Sequence, residues 1–232
     1  MSSQVNVTGE NKPKPLSKFS DAGLIHLVNS NIKRAGYSVP TPVQKYALPA
    51  IMDGRDLMAC AQTGSGKTAA FLLPIIHKLV ESGANGSYGD GRVAPQAVII
   101  TPTRELGIQI YDEARKFSGG CNITSQVVYG GTSVSSQIQN LSRGCHILVA
   151  TPGRLLDFVE RGRITFAQVQ FLILDEADRM LGRFLFYSGF QVKTIFICRY
   201  GIHAGYQAVC GKLYDAAQKQ EANSHVLCNL PQ

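Results

Sequence analysis

Apolar positions along the chain follow two alternating periods. Residues 56–61, 97–101, 126–129, 146–150 and 171–174 are short apolar runs, several of them rich in Val and Ile. Such runs predict strands buried on both faces. Between them the spacing predicts helices over 67–81, from just past Pro102 to about Lys116, over 134–142, and from Pro152 to about Glu160. Alternating strands and helices make βαβ units, which assemble into a parallel sheet with helices on both faces. Upstream, Leu24, Leu27, Val28 and Ile32 mark one helix face, with Asp21 as its cap and Gly36 as its stop. Pro40 and Pro42 impose an extended turn, and a second short helix begins after Pro42.

The same pattern divides the chain. Residues 1–18 are polar, with Lys-Pro-Lys-Pro over 12–15, and read as an extended leader. Residues 19–181 form the α/β unit, interrupted by a Gly/Ser-rich surface loop at 82–92. The rhythm is lost over 182–232, where residues 195–198 suggest one strand and 206–220 one helix.

Composition narrows the class. A length of 232 residues suits one ordinary domain with extensions, and 44% hydrophobic content excludes a wholly disordered chain. No apolar run reaches the roughly 18 residues of a membrane span, and the first residues carry no basic-then-apolar signal pattern. The expectation is a soluble, cytoplasmic protein without a membrane partner. The net charge of +7 suits a polyanion partner, although charge alone favours a solvated basic surface. Six cysteines without CxxC pairs are expected to be free thiols.

The sharpest chemical signal is Ala61-Gln-Thr63-Gly64-Ser65-Gly66-Lys67-Thr68, set between a strand and a helix. Phosphates are held by backbone N–H groups wrapped into a concavity at a positive helix end. Glycine permits the wrap, Lys67 adds a point charge, and Thr68 can ligate Mg²⁺. Ala61 stands where the strict pattern has glycine. Gly64, Gly66 and Ala69 also fit a dinucleotide fingerprint, but no acidic residue ends a strand about 20 residues on. Asp175-Glu176-Ala-Asp178 closes the last apolar strand. Strand C-termini of a parallel sheet share one edge, so these carboxylates can meet the glycine loop there. One can hold Mg²⁺ through water while its neighbour activates an attacking water.

With Asp175-Glu-Ala-Asp178 downstream of Lys67-Thr68, the chain resembles the DEAD-box RNA helicase family. Gly36-Tyr37-Ser-Val-Pro40-Thr41-Pro42-Val-Gln44 resembles the family's Q motif, with Phe19 as the upstream aromatic. Pro102-Thr-Arg-Glu-Leu106, Gly130-Gly131 and Thr151-Pro-Gly-Arg154 resemble its RNA-contacting motifs. Val7-Thr-Gly-Glu10 and residues 56–62 are similar to its Vasa-like branch. The resemblance implies a RecA-like P-loop NTPase lobe over 19–181, incomplete on its C-terminal side. It implies ATP and Mg²⁺ as ligands, with Phe19, Tyr37, Gln44 and residues Thr63 to Thr68 binding nucleotide. Gln44 would read the adenine edge and Tyr37 would stack near the base. Lys67 would hold the β- and γ-phosphates, and Thr68 and Asp175 the metal. Glu176 would be the general base, and Asp178 would link the site to the rest of a helicase. Thr103, Arg104, Gly131, Thr151 and Arg154 would hold RNA backbone with little sequence preference and no preference for DNA. Germ-cell ribonucleoprotein granules are the location implied by the Vasa-like wording.

The chain departs from the family at two places. Gly107 stands where PTRELA has alanine. After Leu181 the family's Asp-Met-Gly-Phe and Ser-Ala-Thr do not follow, nor do the arginine fingers of a second lobe. Two functions stay open on the sequence: an ATP-dependent RNA helicase, or a non-catalytic single lobe that binds nucleotide and RNA. The expectation for the isolated chain is weak nucleotide binding with little RNA-stimulated turnover.

Overall fold

The structure is a computed structural model that describes residues 5–83, 88–89, 92–180, 193–199 and 227–229. Chain order begins with strand β1 (Asn6–Thr8), a 3₁₀ turn (Phe19–Ala22), and helices α1 (His26–Arg34) and α2 (Pro42–Met52). Strand β2 (Leu57–Ala61) and helix α3 (Lys67–Glu81) follow, then two short strands, β3 (Tyr88–Gly89) and β4 (Arg92–Val93). Next come β5 (Ala97–Ile100), α4 (Arg104–Phe117), β6 (Ser125–Val128), α5 (Val134–Leu141), β7 (Ile147–Ala150) and α6 (Pro152–Glu160). The last elements are β8 (Phe171–Asp175), α7 (Ala177–Met180), β9 (Lys193–Arg199) and β10 (Leu227–Asn229).

The main sheet runs β1-β10-β2-β9-β8-β5-β7-β6. The block β8-β5-β7-β6 is parallel throughout, with Ile99 of β5 opposite both Val149 of β7 and Ile173 of β8. β9 lies between β2 and β8 and runs antiparallel to both, and β1 is antiparallel to β10. The sheet is therefore parallel in its α/β core and mixed where β9 and β1 enter. The strand expected at 195–198 lies within β9, and the helix expected at 206–220 falls outside the described residues.

Every residue of β5, β7 and β8 is buried, as continuous apolar runs require. Alternate residues feed two cores. Ala97, Ile99, Ile147, Val149, Phe171 and Ile173 join the apolar faces of α1 to α4. Val98, Ile100, Leu148, Ala150, Leu172 and Leu174 join Leu141 of α5 with Leu155 and Phe158 of α6. This period of two is the physical form of helices covering both faces. Helix α3 buries residues all round, including Phe71, Leu72, Leu73, Ile75 and Ile76, so its N-terminus is held from every side.

One expectation shifts. Asp21 does not cap α1: it ends the first turn of the 3₁₀ segment, where its carboxylate accepts from Lys18 N–H at 3.0 Å. Gly23, at φ 65°, then breaks the path, and α1 starts at His26. The described part of the leader is anchored. Arg55 donates to the carbonyls of Glu10 and Asn11, and Leu16 N–H donates to the Lys45 carbonyl at 2.9 Å.

Candidate nucleotide and RNA site

The C-terminal ends of β2, β5, β6, β7 and β8 point to one edge of the sheet. The turns that leave them carry almost every residue singled out by sequence. At β2 the turn 62–66 enters α3 through Gly64 (φ 77°) and Gly66 (φ 85°). These left-handed values are open to glycine and strained for other residues. Lys67 and Thr68 are the first residues of α3, so the loop amides and the helix dipole face the same space.

That space is a cleft of about 530 Å³. Thr63, Gly64, Ser65, Gly66, Lys67 and Thr68 line it together with Asp175, Glu176 and Tyr37. Lys67 is buried, and its ammonium donates to the carbonyls of Ala61 and Gln62, the latter at 3.0 Å. Asp175 and Glu176 are 4% and 3% exposed. Asp175 Oδ1 accepts from Glu176 N–H at 3.0 Å. Glu176 itself sits at φ 54°, a left-handed value rare outside glycine, and it joins the end of β8 to α7. Its Oε2 accepts from Arg179 Nη1 at 3.1 Å. Asp178 lies in the backbone of α7.

The aromatic residues form a row. Phe19 meets Tyr37 edge-on at 6.4 Å, and Tyr37 meets Phe117 edge-on at 5.6 Å. Burial pushes the Tyr37 phenol up, the Glu113 carboxylate adds to that, and Lys116 opposes it. Gln44 stands behind the loop and is fully buried. Its Oε1 accepts from Thr41 N–H at 2.9 Å, and its Nε2 donates to the Gly66 carbonyl at 3.1 Å. The family resemblance implies that Gln44 reads a base; in the structure its amide is tied to the 62–66 turn.

The remaining residues occupy the neighbouring turns of the same edge. Thr103 caps α4 by accepting from Leu106 N–H at 3.3 Å. Arg104 is exposed, with its guanidinium 4.8 Å above the Tyr129 ring. Gly131 is exposed at φ 79°. Thr151 precedes α6, and its N–H donates to the Val128 carbonyl at 3.0 Å. Arg154 donates from Nη2 to the Thr132 carbonyl at 3.3 Å, with Nε 3.8 Å from Asp157.

Sequence reasoning missed three partners: Arg179, Tyr129 and Gln137. Gln137 had a legible signal. It shares one helix face with Val134, Ile138 and Leu141, so it is a polar residue inside an apolar stripe.

A Mg²⁺-bound polyphosphate fits this cleft. Ser65 Oγ is buried with no hydrogen-bond partner among the described residues, and a Cβ at Gly64 would meet open space. Among the described residues no group of three or more His, Cys, Asp and Glu could hold a metal alone.

Residues 41–200 match the model of the DEAD/DEAH box helicase family. The chain belongs to that family. It is 54% identical over 177 residues to the ATP-dependent RNA helicase vasa of Drosophila melanogaster, covering 76% of this chain and 26% of that protein. Among solved structures it matches the RNA helicase Prp28 of Chaetomium thermophilum bound to ADP. The TM-score there is 0.75 at 32% identity, covering 98% of this chain and 54% of that one. The yeast DEAD-box splicing factor Prp28 matches with a TM-score of 0.67 at 35% identity, covering 76% of this chain and 42% of that chain. This helicase-family chain thus spans about a quarter of the vasa relative and about half of the Prp28 structures. Its RecA-like lobe accounts for the sheet edge described above. Among the described residues no helix is long and apolar enough to cross a membrane.

Proposed function

We propose that the chain is the nucleotide- and RNA-binding lobe of an ATP-dependent RNA helicase. The observation that carries this reading is the meeting of two separate segments in one cleft: the 63–68 loop with its buried lysine, and the paired carboxylates Asp175 and Glu176. Lys67 holds the terminal phosphates, exchanging its two loop carbonyls for phosphate oxygens. Thr68 and Asp175 hold Mg²⁺, the aspartate partly through water, and the metal supplies charge neutralisation at the phosphates. Glu176 takes the proton of the attacking water, and Asp178 links this site to the rest of the helicase. Phe19 and Tyr37 bound the base pocket. Gln44 positions the loop and presents its remaining amide hydrogen and lone pair to adenine. Thr103, Arg104, Gly131, Thr151 and Arg154 hold the sugar–phosphate backbone of RNA with little sequence preference. The proposed location is the cytoplasm, with germ-cell ribonucleoprotein granules supported by the Vasa-like wording of the sequence.

Equilibrium titration of the purified chain with Mg·ATP and with a single-stranded oligouridine tests this reading. Both ligands bind, Lys67→Ala abolishes the first and spares the second, and Glu176→Gln keeps ATP bound while removing any turnover. Unchanged ATP affinity in Lys67→Ala would remove the phosphate-loop assignment.

A further inference from the structure

One side chain closes the turn that follows β6. Gln137 Oε1 accepts from Tyr129 N–H at 3.2 Å, and its Nε2 donates to the Tyr129 carbonyl at 2.9 Å. The Nε2 group also donates to Thr132 Oγ1 at 2.5 Å. Among the described residues β6 is the last strand of the sheet, so its continuation at Tyr129 has a described ladder partner on one flank only. The Gln137 amide takes the place of the other partner, matching donor to acceptor and acceptor to donor. Its own burial on the apolar face of α5 is tolerated because these bonds satisfy it.

The clasp closes on both sides of a glycine pair. Gly130 and Gly131 lie between Tyr129 and Thr132, and Cβ atoms built on either would meet nothing within 4 Å. Two unsupported glycines have the largest backbone freedom of any residue pair, so fixing their ends removes most of it. The fixed ends carry the neighbours. Tyr129 presents its ring to the Arg104 guanidinium at 4.8 Å. Thr132 presents its carbonyl to Arg154 Nη2 at 3.3 Å. Arg104, Gly131 and Arg154 come from three segments far apart in sequence, and each is held in relation to the others through the bonds of Gln137.

We propose that Gln137 is the positioning residue of the RNA-backbone surface, acting through Tyr129 and Thr132 on Arg104, Gly131 and Arg154. The proposal rests on the RNA reading above. It adds a residue that touches no RNA itself, yet sets the geometry in which three contacts reach one strand.

Gln137→Met tests it, since methionine keeps the length and apolar volume but forms none of the clasp bonds. Oligouridine affinity, measured by fluorescence anisotropy on the full chain, should fall about tenfold, while Mg·ATP affinity stays as in the wild type. In an Arg104→Ala background the same substitution should cost less than it does alone, because the two act through one path. Thr132→Val, which removes one hydroxyl from the clasp, should give a smaller fall of the same kind, and it covers the case in which Gln137→Met folds poorly. Wild-type RNA affinity in both Gln137→Met and Thr132→Val, or full additivity with Arg104→Ala, would overturn the clasp and leave the RNA reading standing. A wild-type chain that binds no oligouridine would overturn the RNA reading, and the clasp with it.

Discussion

Gln44 lies so close to Gly66 that a Cβ on the glycine would stand 2.5 Å from Gln44 Nε2 and 3.1 Å from Thr41 Oγ1. The amide donates to the Gly66 carbonyl, and Gly66 is held at φ 85°. The PTPxQ segment and the phosphate loop are therefore one packed unit, although 22 residues separate the bonded pair.

Substitution at either residue should disturb phosphate binding itself. Gly66→Ala meets both a clash with the Gln44 side-chain amide and left-handed strain, and it should abolish binding of ATP. Gln44→Ala should weaken binding of ATP and of inorganic tripolyphosphate alike, because the loop loses its support whether or not a base is present. Calorimetric titration with both ligands decides the matter. Tripolyphosphate affinity equal to wild type, with ATP affinity lost, would confine Gln44 to the base.

Gly107 should accept alanine with a gain in stability. It lies inside α4, and a Cβ there would meet Thr101 Cγ2 at 3.4 Å, Val127 Cγ2 at 3.7 Å and Val149 Cγ1 at 3.9 Å, which are ordinary contacts. Helix-interior Gly→Ala is worth about 1 kcal/mol through the unfolded chain. Thermal denaturation of Gly107→Ala should show a midpoint about 3 °C higher. A lower midpoint would mean that the Thr101 side of the pocket cannot yield.

The sequence made the elements of the core legible because each has a single clean period. β5, β7 and β8 are continuous apolar runs, and α3 begins at a glycine turn, so their bounds differ from expectation by a residue at most. The start of α1 was not legible, because Asp21 has the chemistry of a cap while Gly23 has the conformation of a break, and only the backbone path decides between them. The reversed direction of β9 was not legible either, since a Thr-Ile-Phe-Ile-Cys run fits parallel and antiparallel neighbours equally well. At the site, spacing located Lys67, Asp175 and Glu176 because motifs record chemistry. It did not locate Arg179 or the second role of Gln44, which depend on contacts across turns.

His77 should make stability depend on pH. It is buried on α3, and its Nδ1 accepts from Ile25 N–H at 3.1 Å, at the start of α1. Its Nε2 lies 3.6 Å from Glu81 Oε2. Burial pushes its pKa down, Glu81 opposes the shift, and Lys78 adds to it. Protonation of Nδ1 would cost the bond to Ile25. The folded state then binds fewer protons than the unfolded chain below about pH 6.5, so stability rises with pH across that window. The contribution is fully present above the unfolded value and is lost as pH falls through the lowered folded value. Urea denaturation between pH 7.5 and 5 should show this loss, and His77→Gln, whose carbonyl can accept from Ile25 without titrating, should flatten the profile. An equal slope in the two proteins would place the titration elsewhere.

Arg154 should behave as a preorganised phosphate ligand. Its guanidinium stacks on the Phe158 ring at 5.5 Å, faces Asp157 at 3.8 Å and bonds the Thr132 carbonyl, so one rotamer is fixed before RNA arrives. A fixed fork loses little side-chain entropy on binding, and its two N–H edges match phosphate oxygens. Arg154→Ala should lower affinity by the same factor for oligouridine, oligoadenosine and oligocytidine, and should reduce the slope of log K against log salt by about 0.7. Arg154→Lys should restore the salt slope but only part of the affinity, because a lysine supplies the charge without the fork or the stack. Full recovery in Arg154→Lys would show that charge alone suffices there, and a base-dependent loss in Arg154→Ala would show that the residue reads sequence as well as backbone.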